Sequence, residues 1–274
     1  MAEKKESSRK RRILAALLAI LSIDRVIAIV VAVGLTTAVS APLAITAVEA
    51  QREADRIEAL PENVETSFGE VALADERSAM AERLGAANTL VFDPADGTLA
   101  DNTDGFGFIE NLRGTVSGWE AGAGPVTVLG AGGAARAVIV ALLEAGVSEL
   151  RLLNRTKSRA EALRDEIAPG VTVLDWNEAE ASLAGASLVV NATSMGMAGG
   201  PEMALSLHEI GPDTVATDIV YARGETPFLT AAKGRGATVV DGFGMLLHQA
   251  RPGFERWFGR APEVDDDLRA AVLA

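Results

Sequence analysis

Cysteine is absent from the 274-residue chain, and histidine occurs only twice. The lack of cysteine excludes disulfide bridges, thiolate catalysis and cysteine-bound metal sites. His208 and His248 are too few for a histidine metal cluster, so no metal cofactor is expected. Aromatic residues make up only 4% of the chain, which argues against stacking platforms for single-stranded nucleic acid. The formal net charge of −13 likewise argues against a nucleic-acid partner.

One long stretch of the chain also lacks charge. Residues 26–48 contain no charged side chain, and a helix of that length would span a bilayer. The basic residues in the segment 4–12 fit the positive-inside pattern. Gly34, Pro42 and several Ser and Thr residues weigh against a membrane helix, so a buried α/β segment or a corrupted sequence is preferred. A cytoplasmic protein is therefore expected, with a membrane contact through residues 26–48 as the alternative.

A glycine turn between a strand and a helix is the most informative feature that is present. Val126–Leu129 is a short apolar run of the length of a buried parallel strand. The next six residues, 130–135, fit the pattern G-x-G-x-x-G/A and lead into an alanine-rich helix. Gly130 permits the tight turn, and Gly132 lets the backbone approach a pyrophosphate at the helix N-terminus. The predicted cofactor-binding residues of this turn are Gly130, Ala131, Gly132, Gly133 and Ala134.

The end of the following strand, Glu149–Leu153, indicates which dinucleotide binds. An NAD site usually has Asp or Glu there, to accept hydrogen bonds from the ribose hydroxyls. Here the residues are Asn154, Arg155 and Thr156, with Arg159 close behind. Because guanidinium groups bind phosphate well, this turn predicts NADP. The alternative is a solvated basic turn at the start of a helix.

The rest of the chain alternates helices and strands, which predicts an α/β fold with a Rossmann-like doubly wound parallel sheet. Residues 101–107 are rich in turn formers, and we expect them to lead into a helix through Phe108–Leu112. The other predicted strands are Ala87–Phe92, Val171–Leu174, Ser187–Asn191, Thr214–Ile219 and Thr238–Asp241.

Seven segments together resemble the shikimate dehydrogenase family, in the family's order and spacing, from about residue 70 to the C-terminus. They are GAANTL (Gly85–Leu90), DNTDGFG (Asp101–Gly107), VLGAGGAARA (Val128–Ala137), NRT (Asn154–Thr156), NATSMGM (Asn191–Met197), DIVYARGETP (Asp218–Pro227) and DGFGMLLHQA (Asp241–Ala250). The resemblance implies an enzyme that interconverts 3-dehydroshikimate and shikimate with NADP, on the route to chorismate and the aromatic amino acids. It also suggests a homodimer.

The resemblance implies a second, discontinuous α/β substrate domain beside the nucleotide-binding domain. The implied divisions are an atypical apolar segment (1–62), the remainder of the substrate domain (63–104), the NADP-binding Rossmann domain (105–241) and C-terminal helices that return to the substrate domain (242–274).

The family's functional residues can be carried over position by position. By resemblance, Asp104 is catalytic, and the substrate-binding residues are Asn88, Asp104, Tyr221 and Gln249. Further residues along the cofactor are Asn191, Thr193, Met197, Gly242 and Met245. The substrate-side residues also have purely structural interpretations. Asp101–Asp104 could cap a helix, Asn88 could bond its own turn, Tyr221 could be a core residue and Gln249 an exposed helix residue.

The N-terminal third departs from the resemblance. Family members open with a strand and a Ser-x-Ser motif that binds the substrate carboxylate, and neither is found in residues 1–60. The family motif N-V-T-x-P-H-K, whose lysine is catalytic, corresponds here to residues 63–69, and Gly69 stands in the lysine's place. No lysine occurs between Lys10 and Lys157. We therefore expect impaired turnover, since losing a group that acts in the transition state costs orders of magnitude in rate.

Three explanations fit this departure. A shifted reading frame upstream of residue 70 would produce an abrupt return to the family pattern. Divergence would give a catalytically inactive NADP-binding sensor or partner-binding module, recognised by tight NADPH binding without shikimate-dependent reduction of NADP. A membrane-tethered relative would need detergent until residues 1–50 were removed.

Overall fold

The computed structural model describes residues 74–93, 97–195, 205–222 and 224–273. The predictions for the apolar stretch 26–48, for Gly69 and for Met197 lie outside the described residues. Within the described part of the chain, no helix is both long and apolar enough to cross a membrane.

The described chain opens with a small sheet of three strands, β1 (Glu76–Arg77), β2 (Thr89–Asp93) and β3 (Gly97–Asp101), in the order β1-β3-β2. Strands β2 and β3 form an antiparallel hairpin, whereas β1 pairs with β3 in parallel. The first helix starts at the Ser78 cap and ends at Gly85, which has a left-handed conformation. The helices of this part are α1 (Ala79–Leu84) and α2 (Asp104–Thr115).

A six-stranded, all-parallel sheet forms the centre of the molecule. Its elements are β4 (Val126–Leu129), α3 (Gly133–Glu144), β5 (Leu150–Leu153), α4 (Lys157–Ile167), β6 (Thr172–Leu174), a 3-10 turn (Trp176–Glu178), α5 (Ala179–Ser182), β7 (Leu188–Asn191), β8 (Val215–Asp218), α6 (Pro227–Gly234) and β9 (Thr238–Val240). The strand order is β6-β5-β4-β7-β8-β9. Counted from β4, this is the doubly wound order 3-2-1-4-5-6, whose direction reverses between β4 and β7. The predicted fold class is confirmed, and the predicted strands of this sheet are found within a residue or two.

The register of the sheet determines which residues meet at its carboxyl edge. Leu129 pairs with Leu153 on one side and with Asn191 on the other, and Asn191 pairs with Asp218. The residues that follow β4, β5, β7 and β8 therefore lie side by side at one edge. In doubly wound sheets, ligands bind at this edge, beside the reversal point.

Both faces of the central sheet are buried, as parallel strands require. Val128, Leu152 and Val190 pack in one cluster with residues of α2, α3 and α4. The neighbouring positions Leu129 and Val189 point to the opposite face and pack with α6.

Helix α2 lies between α3 and α7 (Gly242–Phe258), and glycines make both contacts close. A Cβ on Gly105 would lie 2.9 Å from Cβ of Ala141 in α3, and one on Gly107 would lie 2.6 Å from Cβ of Gln249 in α7. The segment 101–107 is thus not a continuous turn, because the helix already begins at Asp104. Tertiary packing of the two glycines outweighs their low helix propensity.

Helix α7 also contacts the small sheet, and the short helix α8 (Asp266–Leu273) follows it. Nε1 of Trp257 donates to the carbonyl of Leu90 (2.9 Å), and Arg256 forms an ion pair with Asp101 (3.1 Å). Helix α7 therefore joins the small sheet to the helices of the central sheet.

Candidate functional site

The glycine turn after β4 has a backbone that only glycine tolerates at its first position. Gly130 has φ +109°, and its N–H donates to the carbonyl of Leu153 (2.7 Å). A Cβ there would lie 2.5 Å from the carbonyl oxygen of Ala192. Gly130 therefore fixes how closely the turn packs against the chain that follows β7.

The next positions leave the start of α3 open. A Cβ on Gly132 or Gly133 would meet no described atom within 4 Å. Gly132 is the N-cap of α3 and supplies no side-chain hydrogen bond, whereas Asp241 and Thr226 cap α7 and α6. Ala134 is exposed, and Ala135 is fully buried against the sheet. Free N–H groups of the first turn thus face open space, which suits an anionic pyrophosphate.

Asn154 connects this turn to the basic turn after β5. Its Oδ1 accepts from the N–H of Ala131 (3.2 Å), and its Nδ2 donates to the carbonyl of Thr156 (2.8 Å). The side chain thereby holds the glycine turn and the Asn154–Thr156 turn at a fixed separation. This geometry requires an amide, since Asn154 both accepts and donates.

The cations of the second turn are not equivalent. Lys157 forms an ion pair with Asp175 (2.8 Å), and this hydrogen bond raises the pKa of Lys157. Arg155 and Arg159 are exposed and form no ion pair with a described residue. Two guanidinium groups therefore remain available for a phosphate beside the bare glycine turn, so the residues present fit NADP.

On the substrate side, Asn88 and Asp104 are hydrogen-bonded to each other. Oδ1 of Asn88 accepts from the N–H and hydroxyl of Thr103 and from the hydroxyl of Thr89, all at 3.0 Å. This fixes the amide so that its Nδ2 donates to Oδ1 of Asp104 (2.7 Å). The amide orients a half-buried carboxylate at the first turn of α2.

Tyr221 and Gln249 are also brought together. The Tyr221 hydroxyl lies 3.4 Å from Oε1 of Gln249. Tyr221 is 39% exposed, so it is not a core residue, and Gln249 is only 7% exposed, so it is not a surface residue. Gln249 lies where α7 crosses α2, one helical turn along α2 from Asp104. The structural interpretations of these two residues are therefore wrong.

Comparison with known proteins gives a consistent result. Residues 120–198 match the family described as shikimate / quinate 5-dehydrogenase, and residues 242–272 match the shikimate 5'-dehydrogenase C-terminal domain. The shikimate dehydrogenase (NADP(+)) of Paracoccus denitrificans is 58% identical over 205 residues, which cover 74% of this chain and 72% of that protein. The chain belongs to the shikimate dehydrogenase family.

A second relative extends the likeness. The shikimate dehydrogenase (NADP(+)) of Dinoroseobacter shibae is 52% identical over 236 residues, which cover 83% of this chain and 84% of that protein. Residues 70–274 make up only about three quarters of the chain, whereas this match covers 83% of it. The match therefore continues upstream of residue 70. Likeness to the family therefore begins earlier than the seven segments suggested.

Solved structures of family members agree with the fold. Quinate dehydrogenase from Corynebacterium glutamicum in complex with NAD has a TM-score of 0.75 at 30% identity, over 92% of this chain and 95% of that one. Shikimate 5-dehydrogenase from Thermus thermophilus in complex with NADP(H) and shikimate has a TM-score of 0.63 at 36% identity, over 73% and 72%.

Three more of the predicted cofactor residues, Asn191, Gly242 and Met245, occupy buried positions. Asn191 is fully buried, and its Oδ1 accepts from the N–H and hydroxyl of Thr193. Met245 is 2% exposed and packs in the core. A Cβ on Gly242 would lie 2.7 Å from the carbonyl oxygen of Asp218. The three residues are thus packed inside the protein, and their contact with a nicotinamide remains a prediction.

The sequence analysis missed Asp218, the last residue of β8. Its carboxylate is fully buried and accepts hydrogen bonds from Thr226, Asn191 and Val220. Burial raises the pKa of Asp218, although these hydrogen bonds act in the opposite direction. An Asp at the end of an apolar strand was the available signal, but its partners become visible only in the folded chain.

Proposed function

We propose that this chain catalyses the NADP-dependent interconversion of 3-dehydroshikimate and shikimate, a step of chorismate and aromatic amino acid biosynthesis. The observation that carries the proposal is that Arg155 and Arg159, which follow β5 beside the open glycine turn, form no ion pair with any described residue. The substrate follows from the relatives, which are named shikimate dehydrogenase (NADP(+)). The alternative of a catalytically inactive NADP-binding sensor finds no support among these relatives.

The proposed chemistry divides between cofactor and chain. Oxidation of the secondary alcohol removes a hydride from carbon and a proton from oxygen. The hydride would pass to bound NADP, and a group of the chain would accept the proton. Asp104, oriented by Asn88, would accept a hydrogen bond from the reacting hydroxyl and take its proton. Tyr221 and Gln249 would bind the other polar groups of the substrate and fix its orientation.

Turnover is expected to be slow, because Gly69 stands where the family has its catalytic lysine. A cation at the reacting oxygen would stabilise the developing alkoxide during reduction. Steady-state assays following NADPH consumption with 3-dehydroshikimate test this expectation. The variant Gly69→Lys should raise kcat more than it changes the Kd for NADPH. Robust turnover by the unaltered chain would contradict the role given to the missing lysine.

The family assignment also supports three proposals about organisation. We propose a cytoplasmic location, a homodimer and the division into residues 63–104 and 242–274 as substrate domain around an NADP domain of residues 105–241. The contacts of α7 with the small sheet support this division. Sedimentation velocity tests the dimer. Fractionation of cells that express the chain either whole or without residues 1–50 tests its location.

A further inference from the structure

Asp218 is a buried carboxylate for which the proposed chemistry has no use. It ends β8 at the carboxyl edge of the sheet, directly beside the end of β7 in the register. Its two oxygens accept three hydrogen bonds while the residue is completely removed from solvent. Burying a carboxylate is costly unless its hydrogen bonds are satisfied, so a group so fully bonded has an organising role.

The first connection runs to the cofactor side. Oδ2 of Asp218 accepts from Nδ2 of Asn191 (3.1 Å). Oδ1 of Asn191 in turn accepts from Thr193, whose hydroxyl accepts from the N–H of Met195 (3.1 Å). Asp218 thereby fixes the loop 191–195, which packs against Gly130 through Ala192.

The second connection runs to the substrate side. Oδ1 of Asp218 accepts from the N–H of Val220 (3.0 Å), which sets the turn that carries Tyr221. Oδ2 also accepts from the hydroxyl of Thr226 (2.6 Å), and Thr226 caps α6 at Leu229. The chain between residues 218 and 226 is thus held at both ends by one carboxylate.

We propose that Asp218 is a positioning residue that holds the cofactor loop 191–195 and the Tyr221 turn in a fixed relation to each other. It touches neither ligand and acts through Asn191 on one side and through Val220 and Thr226 on the other. The inference rests on the proposed function, because it takes the loop to line the cofactor and Tyr221 to contact the substrate.

The variant Asp218→Asn tests the proposal with little change of shape. Its amide oxygen can still accept from Val220, but its NH₂ group would face the NH₂ of Asn191 and the hydroxyl of Thr226. We expect the Kd for NADPH to rise by about tenfold and kcat/KM to fall by about 100-fold, as for displacements near 1 Å. Amide hydrogen exchange should accelerate both in residues 191–195 and in residues 219–222.

A matched pair of threonine variants separates positioning from general stability. Thr226→Val removes the donor to Asp218, whereas Thr214→Val removes a donor to the carbonyl of Ala186 at the opposite edge of the sheet (3.0 Å). We expect Thr226→Val to weaken NADPH binding and Thr214→Val to leave it unchanged. Thr226→Ser keeps the hydroxyl and should restore affinity. This pair also decides the matter should Asp218→Asn fail to fold.

The exchanged double variant Asp218→Asn with Asn191→Asp provides a rescue. It restores an amide-to-carboxylate hydrogen bond between the two positions, so NADPH affinity should recover relative to Asp218→Asn alone. Unchanged affinity in Asp218→Asn and Thr226→Val, or exchange that accelerates in one segment only, would overturn the inference while leaving the proposed function intact. Failure of the unaltered chain to bind NADPH would overturn the proposed function itself.

Discussion

The variant Gly132→Ala separates the stability of the glycine turn from its capacity to bind a nucleotide. Gly132 has φ −90° and ψ −175°, which alanine adopts without strain, and its Cβ would meet no described atom within 4 Å. Fewer unfolded conformations should stabilise the variant by about 0.4–1 kcal/mol. The poorer N-cap preference of alanine should cost about as much. The two effects nearly cancel, so the free energy of unfolding should change by less than about 0.5 kcal/mol.

The same methyl group would occupy space that a pyrophosphate needs. An overpacked contact costs about 1–3 kcal/mol, and about 1.4 kcal/mol corresponds to a tenfold change in affinity. The Kd for NADPH should therefore rise by roughly 10- to 100-fold. Isothermal titration calorimetry measures this affinity, and urea unfolding measures the stability of the same preparation.

Two other glycines provide the controls. Gly146 has φ +105°, and an added Cβ would meet no described atom within 4 Å. Gly146→Ala should therefore cost about 1–3 kcal/mol of stability through backbone strain alone and leave NADPH binding unchanged. Gly130→Ala combines a positive φ with the clash against Ala192 and should cost about 2–6 kcal/mol. The reasoning is refuted if Gly132→Ala loses as much stability as Gly130→Ala, or if it retains the NADPH affinity of the unaltered chain.

Three further predictions address charge. Arg155→Asp should weaken NADPH far more than NADH, because it removes a guanidinium available to the extra phosphate; equal losses in calorimetry would contradict the account of cofactor choice. Asn88→Asp replaces the amide that lies 2.7 Å from Asp104 by a second carboxylate, so the pH–rate profile should shift to higher pH. An unshifted profile would show that Asp104 does not take part in the proton transfer. Because burial raises the pKa of Asp218, the folded protein binds its proton more tightly than the unfolded chain. The contribution of Asp218 to stability should therefore fall as pH rises from its ordinary pKa of 3.8. In urea titrations across that range, the unaltered chain should lose stability relative to Asp218→Asn.

The central sheet was predictable because its signals are local. Short runs such as Val126–Leu129 and Leu188–Asn191 are apolar, of strand length and bounded by turn residues. Alternation with helices then implied parallel pairing, and the glycine pattern marked β4 as the first strand.

The small sheet and α2 were less visible, because their structure depends on distant partners. Strand β3 pairs with β1 and β2, neither of which is long. The glycines at 105 and 107 resemble turn formers in sequence, yet they are helical because α3 and α7 pack against them. Propensity alone cannot report a contact with helices so far away along the chain.

The site divides in the same way. Arg155 and Asn154 follow a strand directly, so their position at the carboxyl edge could be deduced from topology. The role of Asp218 could not be recognised from the sequence. An Asp at the end of a strand gives the same sequence pattern whether it is solvated or buried against Asn191 and Thr226. Its role depends on bringing together residues from two loops and a helix cap.

The glycine contacts of α2 bear on how the cleft can open. Gly105 meets backbone and side-chain atoms of α3, while Gly107 meets the backbone of α7, so neither neighbour can slide without collision. Asp104 at the start of that helix is consequently held in a fixed position relative to both α3 and α7. Any motion that admits and releases ligands must therefore keep α2, α3 and α7 together, so that Asp104 and Gln249 move as one unit.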